Sequence, residues 1–503
     1  MTDAFAARPV GPGPLDVDAV HELLSTTFDL VVGTPRVVRR TRLDTFDGRL
    51  ARAGCRLQHV TETSDERLEL AGPAETLVVG VGPDRPRWPV MAERLPAGPL
   101  RDEVSRLAGI RALVVRDEGR RLVRRAELRN GDRKMVARIV FDEPSDGGSA
   151  ETPVLVLRPL RGYEKETERA WRLVTTLLES VPDDPAPDAG DDVAGRHVDP
   201  ASPAVDLLSD ELLDFLTAIR DNVPGAVDDV DTEFLHDVRV AIRRTRSVLK
   251  LGRSVLPDGW RATWEPQFKW LGDLTTPVRD LDVYQLELPE MAGWLVAGTD
   301  ADLELFAQHL DQRRTAARRV LLRGLRGARM RQLLDEWEDS VRATRAAGGT
   351  GLPAVALARE QLLRAHRRVV KGGAAIGPGS PAEDLHVLRK RSKELRYALE
   401  AFAPVLDEGD VAKAVRDLKG LQDVLGRFQD SEVQRNTLRV FAEEMVADGA
   451  GASTLLAMGE LVAHLDREQQ QARTEFDAAF ARYVRPAGER RMRRLYSGGE
   501  ARR

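Results

Sequence analysis

The sequence predicts two unlike domains, an α+β domain on an antiparallel sheet and then an all-α domain, and three observations carry that prediction. Short segments with period-two alternation dominate up to about residue 180. A stretch rich in Pro, Asp and Ala, with little to bury, follows them. Beyond it apolar residues recur at helical spacing, in a pattern that occurs twice at an offset of 150 residues.

Residues 1–180 form the first domain in this reading. RVVRRTRL, CRLQHVTE, RLELAG, TLVVGV, RALVVRD, RRLVRRAEL, KMVARIVFDE and TPVLVLRPL alternate like strands bounded by turns. Asn130-Gly131-Asp132 between two of them suits a hairpin turn. Arg101 to Leu107 reads as a short helix and Glu164 to Leu178 as a longer one. Residues 181–204 read as a flexible acidic linker in which His197 has no assigned role.

The second domain spans residues 205–503, with halves at about 205–347 and 352–486 and a basic, frayed tail over 487–503. Helices are expected near 206–222, 231–254, 261–275, 279–294 and 300–345 in the first half. The second half has them near 353–371, 383–404, 408–426, 430–447 and 453–484. Glu383 and Asp384 favour a helix start there, because acids suit the positive end of the helix dipole.

Two of these helices organise the domain. In FLHDVRVAIRRTRSVLK, at 100° per residue, His236, Arg239, Arg243, Arg246 and Lys250 lie within about 80° of one another. Leu235, Val238, Ile242, Thr245 and Leu249 make the neighbouring apolar stripe. Like charges at i,i+4 repel, so a helix with a one-sign face calls for an anionic partner. LHVLRKRSKELRYALE repeats the pattern with His386, Arg389, Lys393 and Arg396, and adds Lys390 and Tyr397. The register continues downstream, where Lys269 matches Lys419 and Asp273, Asp280 and Asp282 match Asp423, Asp430 and Glu432. Asp273, Asp280, Asp423 and Asp430 are expected to orient arginines by ion pairing rather than to hold metal. A third basic stretch has eight arginines between Asp311 and Arg331, of which Arg319, Arg323 and Arg326 share one face within about 60°.

Composition narrows the partner. A net charge of −5 argues against a general nucleic-acid coat, so any anion site is local. The basic helices carry almost no aromatic residue apart from Tyr397, whereas single-stranded nucleic-acid grooves interleave aromatic platforms with their cations. One cysteine, Cys55, excludes an internal disulfide framework and suits a reducing cytoplasm. No apolar span is long enough to cross a membrane, and the N-terminal residues lack a signal-peptide pattern.

The duplicated His-x-x-Arg-x-x-x-[Arg/Lys]-x-x-Arg, followed by LGDLTTPVRDLDV in one half and LQDVLGRFQDSEV in the other, resembles the conserved-histidine α-helical domain, CHAD, over about Val205 to Arg485. The resemblance implies two pseudo-symmetric four-helix bundles whose basic helices meet around a central groove or pore. It also implies non-catalytic binding of inorganic polyphosphate, with recruitment to polyphosphate granules as an accompanying expectation. The expected ligand residues are His236, Arg239, Arg243, Arg246, Lys250, Lys269, Arg319, Arg323, Arg326, His386, Arg389, Lys390, Lys393, Arg396, Tyr397 and Lys419. No catalytic residue, metal ligand or cofactor is expected.

RRTRLDTFDGRLARAGCRLQ, with the basic strands and closing helix after it, is similar to the CYTH or triphosphate-tunnel domain. That family opens with Glu-x-Glu-x-Lys, which supplies metal-binding carboxylates; FDLVVGTPRV stands here without the triplet, and TPVLVLRPL lacks a Glu-x-Glu pair. Triphosphate chemistry needs a divalent ion held by convergent carboxylates, so hydrolysis is not expected. Arg39, Arg40, Arg42, Arg124 and Arg125 are candidate tunnel residues, with solvated strand faces as the favoured alternative. Two other functions stay open: a metal-dependent triphosphatase or polyphosphatase acting through the first domain, and an RNA-binding scaffold.

Overall fold

Alternating apolar and charged residues in the first 180 positions produce a sheet with one apolar and one charged face. In the computed structural model, residues 5–9, 15–63, 65–73, 75–82, 86–145, 153–181, 198–348 and 351–497 are described. The chain divides into two units, residues 1–194 and 195–503. Most of the expected linker, with His197, lies outside the described residues.

In chain order the first unit contains β1 (Phe5–Pro9), α1 (Val17–Ser25), β2 (Asp29–Val32), β3 (Arg36–Thr45) and α2 (Arg49–Arg52). Then come β4 (Arg56–Glu62), β5 (Asp65–Ala71), β6 (Thr76–Gly80), α3 (Pro99–Ala108) and β7 (Leu113–Arg129). β8 (Met135–Pro144), β9 (Val154–Pro159), α4 (Glu164–Val174) and β10 (Leu178–Val181) complete it. The strands pair antiparallel in the order β10-β1-β9-β8-β7-β3-β4-β5-β6, with β2 also on β7. Two expected strands, RALVVRD and RRLVRRAEL, are one: β7 runs unbroken because both β3 and β8 pair along it. The closing helix stops at Val174, where the hydroxyls of Thr175 and Thr176 donate to the carbonyls of Arg172 and Leu173, and the chain turns into β10. Leu128, Ile139, Phe141, Leu155 and Leu157 pack on α1 and α4 to form the main core of this unit.

The second unit is helical: α5 (Ala204–Asp228), α6 (Thr232–Leu251), α7 (Trp260–Ala292), α8 (Glu304–Leu325) and α9 (Ala328–Ala347), then α10 (Ala354–Ala374), α11 (Ala382–Ala401), α12 (Glu408–Ala447), α13 (Ala452–Tyr483) and α14 (Pro486–Ser497). α7 continues through Pro277, where the sequence pattern suggested a break. Pro277 withholds a donor only from the Asp273 carbonyl one turn back, while Thr275, Thr276 and Arg239 add side-chain bonds to the carbonyls of Leu271 and Gly272 in the turn before it. α12 likewise runs through Gly426. The expected single helix over 300–345 instead divides at Gly327, whose extended backbone starts α9. The tail expected to fray folds as α14: Met492 and Leu495 are buried, Arg491 and Arg485 bind Asp417, and Arg494 takes Asp410 in a fork at 2.6 and 2.8 Å.

The duplication is visible in hydrogen bonds between equivalent positions. Ala204 N–H donates to the Leu352 carbonyl at 2.7 Å and Ala354 N–H to the Ser202 carbonyl at 2.8 Å. Pro203 and Pro353 form the bridge between them. Tyr284 Oη donates to the carbonyl of its own counterpart, Gln434, 150 residues on. Where α6 meets α11 the same reciprocity governs charge. Arg244 pairs with Glu400 at 3.1 Å and Lys250 with Glu394 at 3.7 Å, and these pairs are images of one another at the repeat offset, with signs exchanged.

Close packing makes one glycine decisive. A Cβ on Gly373 of α10 would lie 2.0 Å from the Phe480 ring of α13. Gly→Ala inside a helix ordinarily gains up to about 1 kcal/mol. Here overpacking reverses the sign, and Gly373→Ala is expected to cost about 1–3 kcal/mol in chemical denaturation. A variant as stable as the parent would show that α10 and α13 are not packed in this way.

Candidate anion-binding site

α6 begins where Asp231 accepts the N–H groups of Glu233 and Phe234 at 2.9 and 3.2 Å, a cap that sets the helix phase. The helix then buries Leu235, Val238, Ile242, Thr245 and Leu249. α11 buries Leu385, Leu388, Leu395 and Leu399 in the matching places. With those stripes turned inward, the two cationic rails are brought to the α6–α11 seam.

The first turns of the rails are structural. Arg239 donates to Thr276 Oγ1 at 2.6 Å, and its guanidinium is pulled below its usual range by burial. Asp280 lies close enough for Arg239 to offset part of the upward push that burial gives its carboxyl. In the second copy Arg389 reaches Asp430, the counterpart of Asp280, at 2.8 Å. Of the aspartates expected to orient arginines, Asp430 pairs with one directly and Asp280 feels Arg239 electrostatically, whereas Asp273 pairs with Lys269. His236 is half-buried and held below its usual value by burial and by Arg279. His386 bonds through Nδ1 to the Gln429 amide oxygen.

Further along, the rails open onto two cavities. One, of about 900 Å³, takes Arg243, Arg246 and Lys250 from α6, Arg253 from the following turn, and Arg261 from α7. Arg364 and Arg368 enter from α10, and Lys390 and Lys393 from α11. These nine cations face only two acids, Glu360 and Glu394, and Tyr397 is the sole aromatic residue lining the space. The other cavity, of about 810 Å³, is balanced: Arg243, Arg244, Lys393, Arg396 and Arg427 face Glu287, Glu290, Glu400, Asp423, Asp430 and Glu468. Arg243, Lys393 and Tyr397 line both. The Arg243 guanidinium sits 5.6 Å from the Tyr397 ring centroid, within cation–π range.

Several groups in this seam lack the partners that elsewhere tie down the chain's arginines. The Nε atoms of Arg246 and Arg389 are buried without an acceptor. Lys393 is half-buried and pushed down to about 8, first by burial and then by Arg389, Arg243 and Arg396, with Asp430 opposing. Burial raises the Tyr397 phenol above its usual value.

Of the sixteen expected ligand residues, Arg243, Arg246, Lys250, Lys390, Lys393 and Tyr397 line the basic cavity. Arg396 faces the balanced cavity and pairs with Glu400 at 2.7 Å. His236, Arg239, His386 and Arg389 line neither cavity. Lys269 pairs with Asp273 at 2.6 Å beside a smaller hollow, and Lys419 is exposed elsewhere on α12. The structure does not bring Arg319, Arg323 and Arg326 of α8 to either cavity, and Arg323 bonds the Arg319 carbonyl of its own helix. Their neighbours are committed to the fold, with Arg314 held by Asp229 and Asp282 and Arg318 by the last carbonyls of α5. Arg253, Arg261, Arg364 and Arg368 escaped the sequence reading. Asp214 and Ala218 occupy the repeat positions of Arg364 and Arg368, so a search for duplicated cations passes over α10.

In the first unit, strand alternation places Arg40, Arg42 and Arg125 on the charged face and Arg39 and Arg124 on the other. The carboxylates of the charged face are engaged. Glu62 receives both Arg125 nitrogens at 2.5 and 2.7 Å and Arg36 at 3.4 Å, which hold it below its usual range. Asp142 receives Arg121 at 2.6 Å and Arg40 at 2.7 Å. A divalent ion needs several convergent oxygens free of such cations, so these residues do not fit the metal that the tunnel family implies. Among the described residues no group of three candidate ligands converges.

Comparison with known proteins bears mainly on the helical unit. The Mycobacterium tuberculosis protein Rv2226 is 29% identical over 263 residues, 51% of this chain and 48% of the relative, so the match spans about half the length of that relative. Two solved structures are similar to this chain: the CHAD domain of the plant Ricinus communis (22% identity, 56% of this chain and 93% of that one, TM-score 0.48) and PptA from Streptomyces chartreusis (20%, 56% and 99%, TM-score 0.44). A Bacillus halodurans structure is also similar, at 12% identity over 38% of this chain and 98% of that one, with a TM-score of 0.28. The family model described as the CHAD domain matches residues 211–439, from α5 through both basic helices into α12, so the chain contains a CHAD domain there, with an antiparallel-sheet unit preceding it.

Proposed function

We propose that this chain binds inorganic polyphosphate, without catalysis, in the basic cavity between α6, α10 and α11. The observation that carries the reading is the convergence of nine cations on one space with two acids. A linear polyphosphate presents about one charge per phosphate and no base, so closely spaced guanidinium forks suit it better than aromatic platforms. The single lining aromatic residue favours it over single-stranded RNA. The balanced cavity would repel a bare polyanion at Glu287, Glu290 and Glu468, so the ligand runs along α10 rather than through both spaces. The charged face of the first unit supports the non-catalytic reading, because arginines already occupy Glu62 and Asp142. The same reading extends to recruitment to polyphosphate granules in the cytoplasm. No helix among the described residues is long and apolar enough to cross a membrane.

Calorimetry of the full chain with long-chain polyphosphate tests the proposal, with phosphate release in Mg²⁺ and competition by RNA at matched phosphate concentration beside it. No heat of binding, release of phosphate, or preference for RNA would each overturn it. Charge-assisted hydrogen bonds contribute about 1.5–3 kcal/mol, so Arg246→Ala and Arg364→Ala are each expected to weaken binding about tenfold or more. Each should also reduce the log–log salt slope, which falls by about 0.7 for every neutralised phosphate lost. Replacing Arg319, Arg323 and Arg326 together with Ala should leave affinity nearly unchanged.

Binding is also expected to depend on pH through Lys393. The free protein holds this amine at about 8, below its ordinary 10.5, and a bound polyanion restores the cation. Binding then takes up protons, and affinity falls as pH rises from about 8 towards the ordinary lysine range. Burial displaces the Tyr397 phenol upward, away from the lower part of that window. Lys393→Arg should abolish the dependence, as measured by calorimetry in buffers of different ionisation heat.

A further inference from the structure

We infer that Lys393 is a built-in acylation site, at which small acyl phosphates bound in the basic cavity transfer their acyl group to the lysine Nζ. The inference rests on the polyphosphate reading in so far as the same cations dock the phosphate half of the reagent. Its own basis is local. Lys393 lies in the wall shared by both cavities and makes no hydrogen bond or ion pair among the described residues. The other lysines of the cavity differ, since Lys250 faces Glu394 at 3.7 Å and Lys390 is exposed. Arg243, beside Lys393, lies over the Tyr397 ring and has no carboxylate partner among the described residues, so its guanidinium fork is available to a phosphate. The buried Nε of Arg246, which lines the same cavity, has no acceptor among the described residues.

Burial and three neighbouring guanidinium groups also favour the neutral amine, which is the nucleophile. After its ammonium form gives one proton to water, the Nζ lone pair attacks the acyl carbon. A C–N bond forms and the acyl C–O bond to phosphate breaks. Phosphate departs with the electron pair, and the second amine proton passes to it or to water. The product is a neutral amide at the point the two cavities share, so each event removes one charge from the polyanion site.

The test treats full-length protein with acetyl phosphate and follows each lysine by peptide mass spectrometry. Because the cavity holds the phosphate of the reagent beside Nζ, Lys393 is expected to be acetylated at least about tenfold faster than the exposed Lys390. Its rate should saturate with reagent, tripolyphosphate should protect it, and Arg243→Ala should abolish saturation while the protein stays folded by circular dichroism. An acetylating ester without phosphate should show no saturation. Lys393 reacting no faster than Lys390, or without saturation, overturns the inference even if polyphosphate binds. Selective, saturable acetylation in a protein that fails to bind polyphosphate sustains it and sinks the polyphosphate reading instead.

Discussion

Two helices with the same cationic stripe can be packed side by side only if something other than their charges holds them, and that constraint shapes the helical unit. The apolar stripes of α6 and α11 are buried within their own halves, against α5 and α7 and against α10 and α12, and reciprocal hydrogen bonds around Pro203 and Pro353 join the two halves at their starts. At the seam, Arg244 meets Glu400 and Lys250 meets Glu394. Each pair is partly exposed and contributes roughly 0.2–1 kcal/mol. Their larger effect is on specificity. Had the second half kept cations where Glu394 and Glu400 stand, each contact would oppose like charges, so divergence of the repeat converts a repulsive seam into a complementary one.

Divergence also decides where the surplus charge accumulates. In α10, Arg364 and Arg368 replace the Asp214 and Ala218 of α5, and with Arg253 and Arg261 they turn one side of the seam strongly basic. On the other side Glu287, Glu290, Asp423 and Glu468 cancel the rails. A sequence repeat thus carries an asymmetric field. Arg243, Lys393 and Tyr397 mark the boundary, and their shared position makes that boundary the place where one lost charge would be felt on both sides.

The sheet unit follows the same economy of charge on a different scaffold. Its apolar face is covered by α1 and α4, while the opposite face carries arginines and acids on alternate residues. There each carboxylate that converges on the centre is taken by two guanidinium groups. Cross-strand pairing places cation beside anion, which stabilises the face and leaves no bare carboxylate pair to hold a metal.

Sequence periodicity alone determined the antiparallel strands, the helical second half, the duplication and the cationic character of α6 and α11, because each is a local pattern repeated often enough to outweigh chance. It also marked Arg243, Arg246 and Lys393 as ligand candidates, since their helix faces carry no compensating acids. What it could not supply was the identity of neighbours distant in the chain. Pro277 marks a break in the local pattern, yet α7 runs through it, packed against its neighbours. Whether the tail frays depended on Asp410 and Asp417 waiting on α12. Arg239 and Arg389 belong to the same rails as Arg243, yet only tertiary packing sets them against Thr276 and Asp430 and leaves Arg243 facing open space. Electrostatic partnership acts through distance in space, and a helical wheel records only the angle at which each charge leaves its own helix.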